Sequence, residues 1–188
     1  MRAMNHGLDD KDRKIISLLQ KNPYLSQSKI AQHVDLSQPA AYFRIQKLVK
    51  KGFLSRSMGV DLKKIGLPLL KIDLSAEEPD VFMQTMLGCP YVLDLYRMDG
   101  GHVFSLFLGG ENYSTLEAVK SSIADRKGVS ELHSHHVTGS KNGLVMPLSM
   151  VEPGGSGPCQ ADCLQCPRYT EKKCLGCPHT VHYRGNLW

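Results

Sequence analysis

Residues 26–50, SQSKIAQHVDLSQPAAYFRIQKLVK, read as two short amphipathic helices joined at a tight corner. Ser26 can cap the first, because its hydroxyl can accept from a backbone N–H that the opening turn leaves unpaired. Ile30, Ala31 and Val34 then fall on one helical face. Ser37 repeats the capping signal, and Ala41, Ile45, Leu48 and Val49 recur inward along a second helix, leaving Asp35-Leu36 as the turn. Two such helices joined by about three or four residues form a helix-turn-helix unit, whose second helix enters the DNA major groove. Ser37, at the tip of that helix, and Gln38, Tyr42, Arg44 and Lys47 along it are the expected DNA contacts, with Lys50 and Lys51 behind them. These side chains can donate to base edges and phosphates together. A merely solvated helical hairpin would also show polar residues, so the charge around the pair becomes the discriminating observation.

The net charge of +5 is unevenly spread. Residues 1–60 hold eleven Lys and Arg against four Asp and Glu, net +7; residues 61–150 hold eight against eleven, net −3; residues 151–188 hold four against three, net +1. Basic charge therefore collects where the helix pair lies, as expected of a nucleic-acid-binding module joined to something that does not bind nucleic acid. The 188 residues suffice for one or two small domains with their own cores. No apolar run is long enough to span a bilayer, and residues 1–7 lack the apolar core of a signal peptide, so no membrane partner and a cytoplasmic location are expected. Six cysteines in such a chain point to metal or redox chemistry rather than structural disulfides. No catalytic triad, phosphate-binding loop or paired-carboxylate motif stands out, and the chain reads as a non-enzyme.

Upstream of the pair, residues 8–20 predict a helix capped by Asp9, with Ile15, Ile16, Leu18 and Leu19 as its buried stripe and Asn22-Pro23 as its end. Gly52 is the expected residue just past the third helix, and residues 53–60 read as a short strand or wing. Residues 1–60 thus predict a three-helix, winged helix-turn-helix domain. Downstream, residues 61–150 predict a strand over 69–74, a helix over 78–87 with Val81, Phe82 and Met86 facing in, and a strand over 91–98. A turn at 99–101 follows, then a strand over 102–108 with His102, Phe104, Leu106 and Leu108 on one face. A helix from a Ser114-x-x-Glu117 capping box to Ile123 and a strand over 129–137 complete the set. That βαββαβ order is the ferredoxin-like split βαβ, so the fold class is α+β.

The stretch LDDKDRKIISLLQKNPYLSQSKIAQHVDLSQPAAYFRIQKLVKKGFL resembles the Lrp/AsnC family of bacterial and archaeal transcription regulators. The match carries Leu8-Asp9-x-x-Asp12, Leu18-Leu19-Gln20-x-Asn22, Leu36-Ser37-x-x-Ala40 and Gly52-Phe53-Leu54. Two departures are Asp35, where the family usually has Gly, and the Gln38-Pro39 order. The resemblance, covering residues 8 to about 140, implies that the second domain is a RAM effector and dimerisation domain. It implies a homodimer or higher homo-oligomer on pseudo-palindromic double-stranded DNA. It also implies a small-molecule effector, usually an amino acid, at loops matching Asp99, Gly100 and Gly101 and residues 109–112, which hold Gly109 and Gly110. Those glycines equally suit plain turns. Strand alternation puts His133 and His135 on one face and His136 on the other, so the three do not form one ligand set and read as surface histidines. Cys89, isolated in sequence from the other five, reads as a small buried apolar residue.

Residues 151–158, VEPGGSGP, read as a flexible linker, and residues 159–188 as a Cys-rich metal-binding tail. Cys159, Cys163, Cys166, Cys174 and Cys177 fall within nineteen residues, too short a segment to bury them in a core of its own. Two C-x-x-C pairs, Cys163/Cys166 and Cys174/Cys177, would suit tetrahedral Zn2+, although the spacer is short and Cys159 is left over. A [4Fe–4S] cluster takes several thiolates from one tight loop and another from farther on, and the prolines directly after Cys166 and Cys177 resemble ferredoxin-type runs. The cluster is the favoured expectation, with redox, oxygen or iron sensing as its use. An amino-acid-responsive regulator with a structural zinc is the alternative, and a metal-free dithiol switch a third. His179 and His182 are reserve ligands for either metal. The C-x3-C-x2-C spacing also occurs in radical S-adenosylmethionine enzymes, but these need a large barrel around the cluster, and the triplet here has only twenty-two residues after it.

Overall fold

The structure is a computed structural model and describes residues 7–55, 58–99, 103–141, 143–155 and 157–188. It comprises two compact units, Met1–Ser57 and Met58–Trp188.

In the first unit α1 spans Asp10–Lys21, α2 Gln27–His33 and α3 Gln38–Lys50. Asp9 caps α1 reciprocally: the Asp12 N–H donates to its carboxylate at 2.8 Å, while the Asp9 N–H donates to the Asp12 carboxylate. Ser26 and Ser37 cap α2 and α3, accepting from the Lys29 and Ala40 N–H groups. Ile15, Ile30, Val34, Ile45 and Leu48 form the core where the three helices meet. Asp35 turns the corner with φ at +51°, a conformation that Asp tolerates better than most L-residues, and the Leu36 N–H donates to the Ala31 carbonyl at 3.0 Å. This is how the chain dispenses with the usual glycine. Past α3, the Phe53 N–H reaches back to the Leu48 carbonyl at 2.9 Å around Gly52, closing the helix with a Schellman bond. The expected strand at residues 53–60 does not form among the described residues there. Pairing begins only at β1, Val60–Asp61, and its partner β6, Val145–Met146, belongs to the second unit.

The second unit contains β2 Leu69–Ala76, α4 Pro79–Leu87, β3 Val92–Arg97, β4 Val103–Gly109, α5 Tyr113–Ala124 and β5 Val129–His136. The sheet is antiparallel in the order β3-β4-β2-β5, the split βαβ arrangement. Alternate residues of β2 and β4, including Leu70, Ile72, Leu74, Phe104, Leu106 and Leu108, meet Phe82 and Met86 of α4 and Leu116 and Ile123 of α5. Two local expectations are corrected. Val81 is 59% exposed, because Phe82 and Met86 already fill the inward stripe of a two-turn helix. The α5 cap is Asn112, whose extended backbone lets its side chain accept from the Thr115 N–H at 2.8 Å; Ser114 sits inside the first turn and donates to the Lys173 carbonyl instead.

The cysteine-rich segment packs within this same unit. Gly154 and Gly155, in the expected linker, both donate to the His179 carbonyl at 2.9 Å. A short α6, Pro167–Thr170, brings Arg168 to Ser121 at 3.0 Å and to the Asp125 carboxylate at the end of α5. The Tyr91 hydroxyl donates to the Gly176 carbonyl at 2.6 Å, and Arg126 pairs with the Pro158 carbonyl. At the C-terminus the Asn186 and Leu187 N–H groups donate to the Glu111 carboxylate at 2.8 and 2.9 Å, while Trp188 packs edge-on against Tyr91.

Candidate functional site

Helix α3 presents a basic and amide-bearing surface, though the expected contacts are not equivalent. Ser37, Gln38, Tyr42 and Lys47 are exposed. Arg44 is not free: its guanidinium binds the Asp9 carboxylate at 2.6 Å and that of Asp12 at 2.7 Å, tying α3 to the capped start of α1. The residues diametrically outward from Ala41, Ile45 and Leu48 are Pro39, Phe43, Gln46 and Lys50, all exposed, with Phe43 at 68%. Phe43 and Gln46 are therefore surface residues that the reading of polar side chains passed over. The helical phase of the three buried residues was the signal for them. On a helix laid in a major groove, Gln46 carries an amide matched to adenine, Phe43 an apolar face suited to the thymine methyl, and Lys47 and Lys50 charges for phosphate.

The ion-pair triad has a consequence for stability. The Asp12 N–H, and then the Arg44 guanidinium, hold the Asp9 carboxyl below the ordinary carboxylate range. A lowered folded value stabilises the native state fully above the unfolded value near 3.8, and this contribution is lost as pH falls through the lowered value. Arg44→Ala is expected to lower the thermal midpoint of the first unit at pH 7 and to reduce the difference between melts at pH 7 and pH 3. Base preference in a competition assay should stay unchanged.

In the second unit, Gly100, Gly101 and His102 lie outside the described residues. Asp99 is exposed. Gly109 is a packing requirement, since a Cβ there would stand 2.5 Å from Leu93 Cδ1, and one at Gly110 would stand 3.0 Å from Leu116 Cδ2. His133 and His135 lie opposite Asp73 and Lys71 in the ladder, whereas His136 stacks edge-on against Tyr113 at 4.8 Å near Glu117. The two-face division expected from alternation is what the register places.

The thiols gather on α4 and α5. A cavity of about 70 Å³ is lined by Cys159, Cys166, Cys174 and Cys177 on the tail side and by Met86, Val119 and Ile123 on the helix side, with Arg126 and Arg168 in its wall. Cys89, buried as expected at 8% exposed, lines this cavity too, beside thiols that are distant from it in sequence. Cys163 is buried but does not line the cavity, and neither do His179 and His182. Cys159 and Cys177 flank Gly157, where an added Cβ would stand 3.2 Å from the Cys177 sulfur and 3.5 Å from that of Cys159. Burial pushes the thiol of Cys89 up to about 12 and that of Cys177 up to about 11, and also raises Cys163 and Cys174. As free groups these are protonated at neutral pH and poor nucleophiles; a bound cation would reverse that. Among the described residues, no three His, Cys, Asp or Glu side chains converge closely enough for a single metal ion. No helix of the described residues is long and apolar enough to cross a membrane.

Residues 8–55 match the family described as winged helix-turn-helix DNA-binding. Similar proteins include the HTH-type transcriptional regulator LrpC of Bacillus subtilis, 28% identical over 120 residues, 62% of this chain and 81% of that protein. The glutamate uptake regulatory protein of Zymomonas mobilis is 26% identical over 153 residues, 77% of this chain and 93% of that protein. Among solved structures, B. subtilis LrpC superimposes with a TM-score of 0.59 at 25% identity, covering 71% of this chain and 96% of its own. A transcriptional regulator from Neisseria meningitidis, solved as its complex with L-Met, superimposes with a TM-score of 0.63 at 20% identity, covering 71% of this chain and 92% of its own.

Proposed function

We infer that this chain is a DNA-binding transcriptional regulator of the Lrp/AsnC type, with double-stranded DNA as its partner and a thiol site that senses redox state, oxygen or iron. DNA binding is carried by an exposed recognition helix within the most basic third of the chain, on a domain matching the winged helix-turn-helix family. The sensing part is carried by the convergence of four tail thiols on one cavity between two arginines. A [4Fe–4S] cluster with four thiolates is an anion, and Arg126, whose described partner is the neutral Pro158 carbonyl, would offset part of its charge, whereas Arg168 is already paired with Asp125; when bound the cluster would supply an electron-accepting, air-labile centre. The residues that would hold it are drawn from Cys159, Cys163, Cys166, Cys174 and Cys177.

The donor set supports a cluster over zinc: the cavity is lined by cysteines without a histidine, and prolines directly follow Cys166 and Cys177 as in ferredoxin-type runs. In this reading the regulator acts as a homodimer or higher homo-oligomer, and cluster loss changes its operator affinity. The second reading, an amino acid bound near Asp99 and the loop of Gly109 and Gly110 with zinc in the tail, draws on the L-Met complex of the Neisseria relative.

The deciding measurement is iron, sulfide and zinc per chain, with a visible spectrum, on protein purified without oxygen. Roughly four irons with matching sulfide and a broad band bleached by air are expected, followed by a change in salt-dependent operator binding. One zinc without colour overturns the cluster; a loaded cluster whose loss leaves operator affinity unchanged overturns sensing.

A further inference from the structure

We propose that the thiol site is shared between the tail and the sheet domain, with Cys89 as one of the cluster ligands. This rests on the reading of the tail as a cluster site. Cys89 lies just past the end of α4, in the corner leading to β3, and its N–H donates to the Met86 carbonyl at 3.0 Å, which fixes the backbone there. The residue is only 8% exposed and lines the cavity with Cys159, Cys166, Cys174 and Cys177. Seventy residues of sequence separate it from the nearest of these. The cavity it lines is walled on the helix side by Met86, Val119 and Ile123 and on the other side by four cysteines of the tail.

The neighbouring contacts hold the two sides of the cavity together. Tyr91, two residues after Cys89, donates to the Gly176 carbonyl at 2.6 Å, inside the Cys174-x-x-Cys177 loop. The Leu175 N–H donates to Thr115 Oγ1 at 3.3 Å on α5, and Arg126 holds the Pro158 carbonyl beside Cys159. The hydrogen bonds thus bring the tail thiols to the α4 corner before any group binds. Five thiols thus line the cavity where a cubane takes four, and Cys89 would stand in for one of the four tail thiols. A cluster ligated from both sides would add a covalent link between tail and sheet domain to these hydrogen bonds, and its loss would leave the tail held by the hydrogen bonds alone. This gives the sensor a physical output that a tail-only site would lack.

The test uses the full chain, reconstituted anaerobically with ferrous iron and sulfide, comparing wild type with Cys89→Ala and Cys89→Ser. Circular dichroism and Trp188 fluorescence establish that each variant folds. Cys89→Ala is expected to hold no more than about three irons per chain and to lose its visible band in air several-fold faster than wild type. Cys89→Ser keeps the side-chain volume and offers oxygen in place of sulfur, so its spectrum should shift; it also decides the question if the alanine variant does not fold. Variants that carry four irons with the wild-type spectrum and air lifetime would overturn the role of Cys89 while leaving the tail cluster intact. Wild-type protein that takes up no iron would overturn both readings.

Discussion

Phe104→Ala should destabilise the second unit by about 3–5 kcal/mol, the range for truncating a fully buried aromatic residue. Phe104 has no exposed surface, sits in the central strand β4 and packs against Phe82 of α4 with ring centroids 5.0 Å apart. The cavity left behind would open in the core that Leu74 and Leu106 of the sheet share with Leu116 of α5, a close-packed interior that relaxes only in part. Against a typical domain stability of about 5–15 kcal/mol, such a loss brings the unit close to unfolding at physiological temperature. The single tryptophan, Trp188, packs edge-on against Tyr91 and Tyr183 and so reports on this unit. Urea titration followed by its fluorescence should show a lower midpoint with an unchanged slope. A midpoint close to wild type would mean that the sheet core is not packed as described.

The second large effect concerns DNA. Lys47 and Lys50 are exposed near the C-terminal end of α3, where charge rather than shape is on offer. If each neutralises one phosphate, the double replacement Lys47→Ala/Lys50→Ala should reduce the slope of log K against log salt by about two. Affinity at moderate salt should fall by about tenfold or more, uniformly across sequences, because phosphate contacts position the helix without reading bases. Fluorescence anisotropy with an operator and a scrambled duplex over a salt series measures both quantities. Loss confined to the operator would reassign the lysines to base reading, and an unchanged slope would remove them from the interface.

These expectations draw unequally on sequence and structure. Ser26, Ser37 and Asp9 announced their helices because a cap acts through hydrogen bonds within one turn, and the structure has all three in place. The βαββαβ order was legible for a similar reason, since alternation along β2 and β4 is a property of each strand. The α5 cap was assigned two residues late because Asn112 and Ser114 are both good capping types, and only the extended backbone at Asn112 decides between them.

The sequence by itself determined the two folds, the concentration of basic charge on the helix-turn-helix segment and the existence of a thiol-rich tail. All of these follow from spacing and composition within a few turns or strands. Tertiary structure alone decided that Arg44 faces Asp9 and Asp12 and that Cys89 joins the tail thiols. An ion pair across thirty-five positions or a cavity closed across seventy leaves no periodic trace in sequence. Such contacts depend on where packing brings distant backbone segments, and each side chain is compatible with several partners until the core has chosen one.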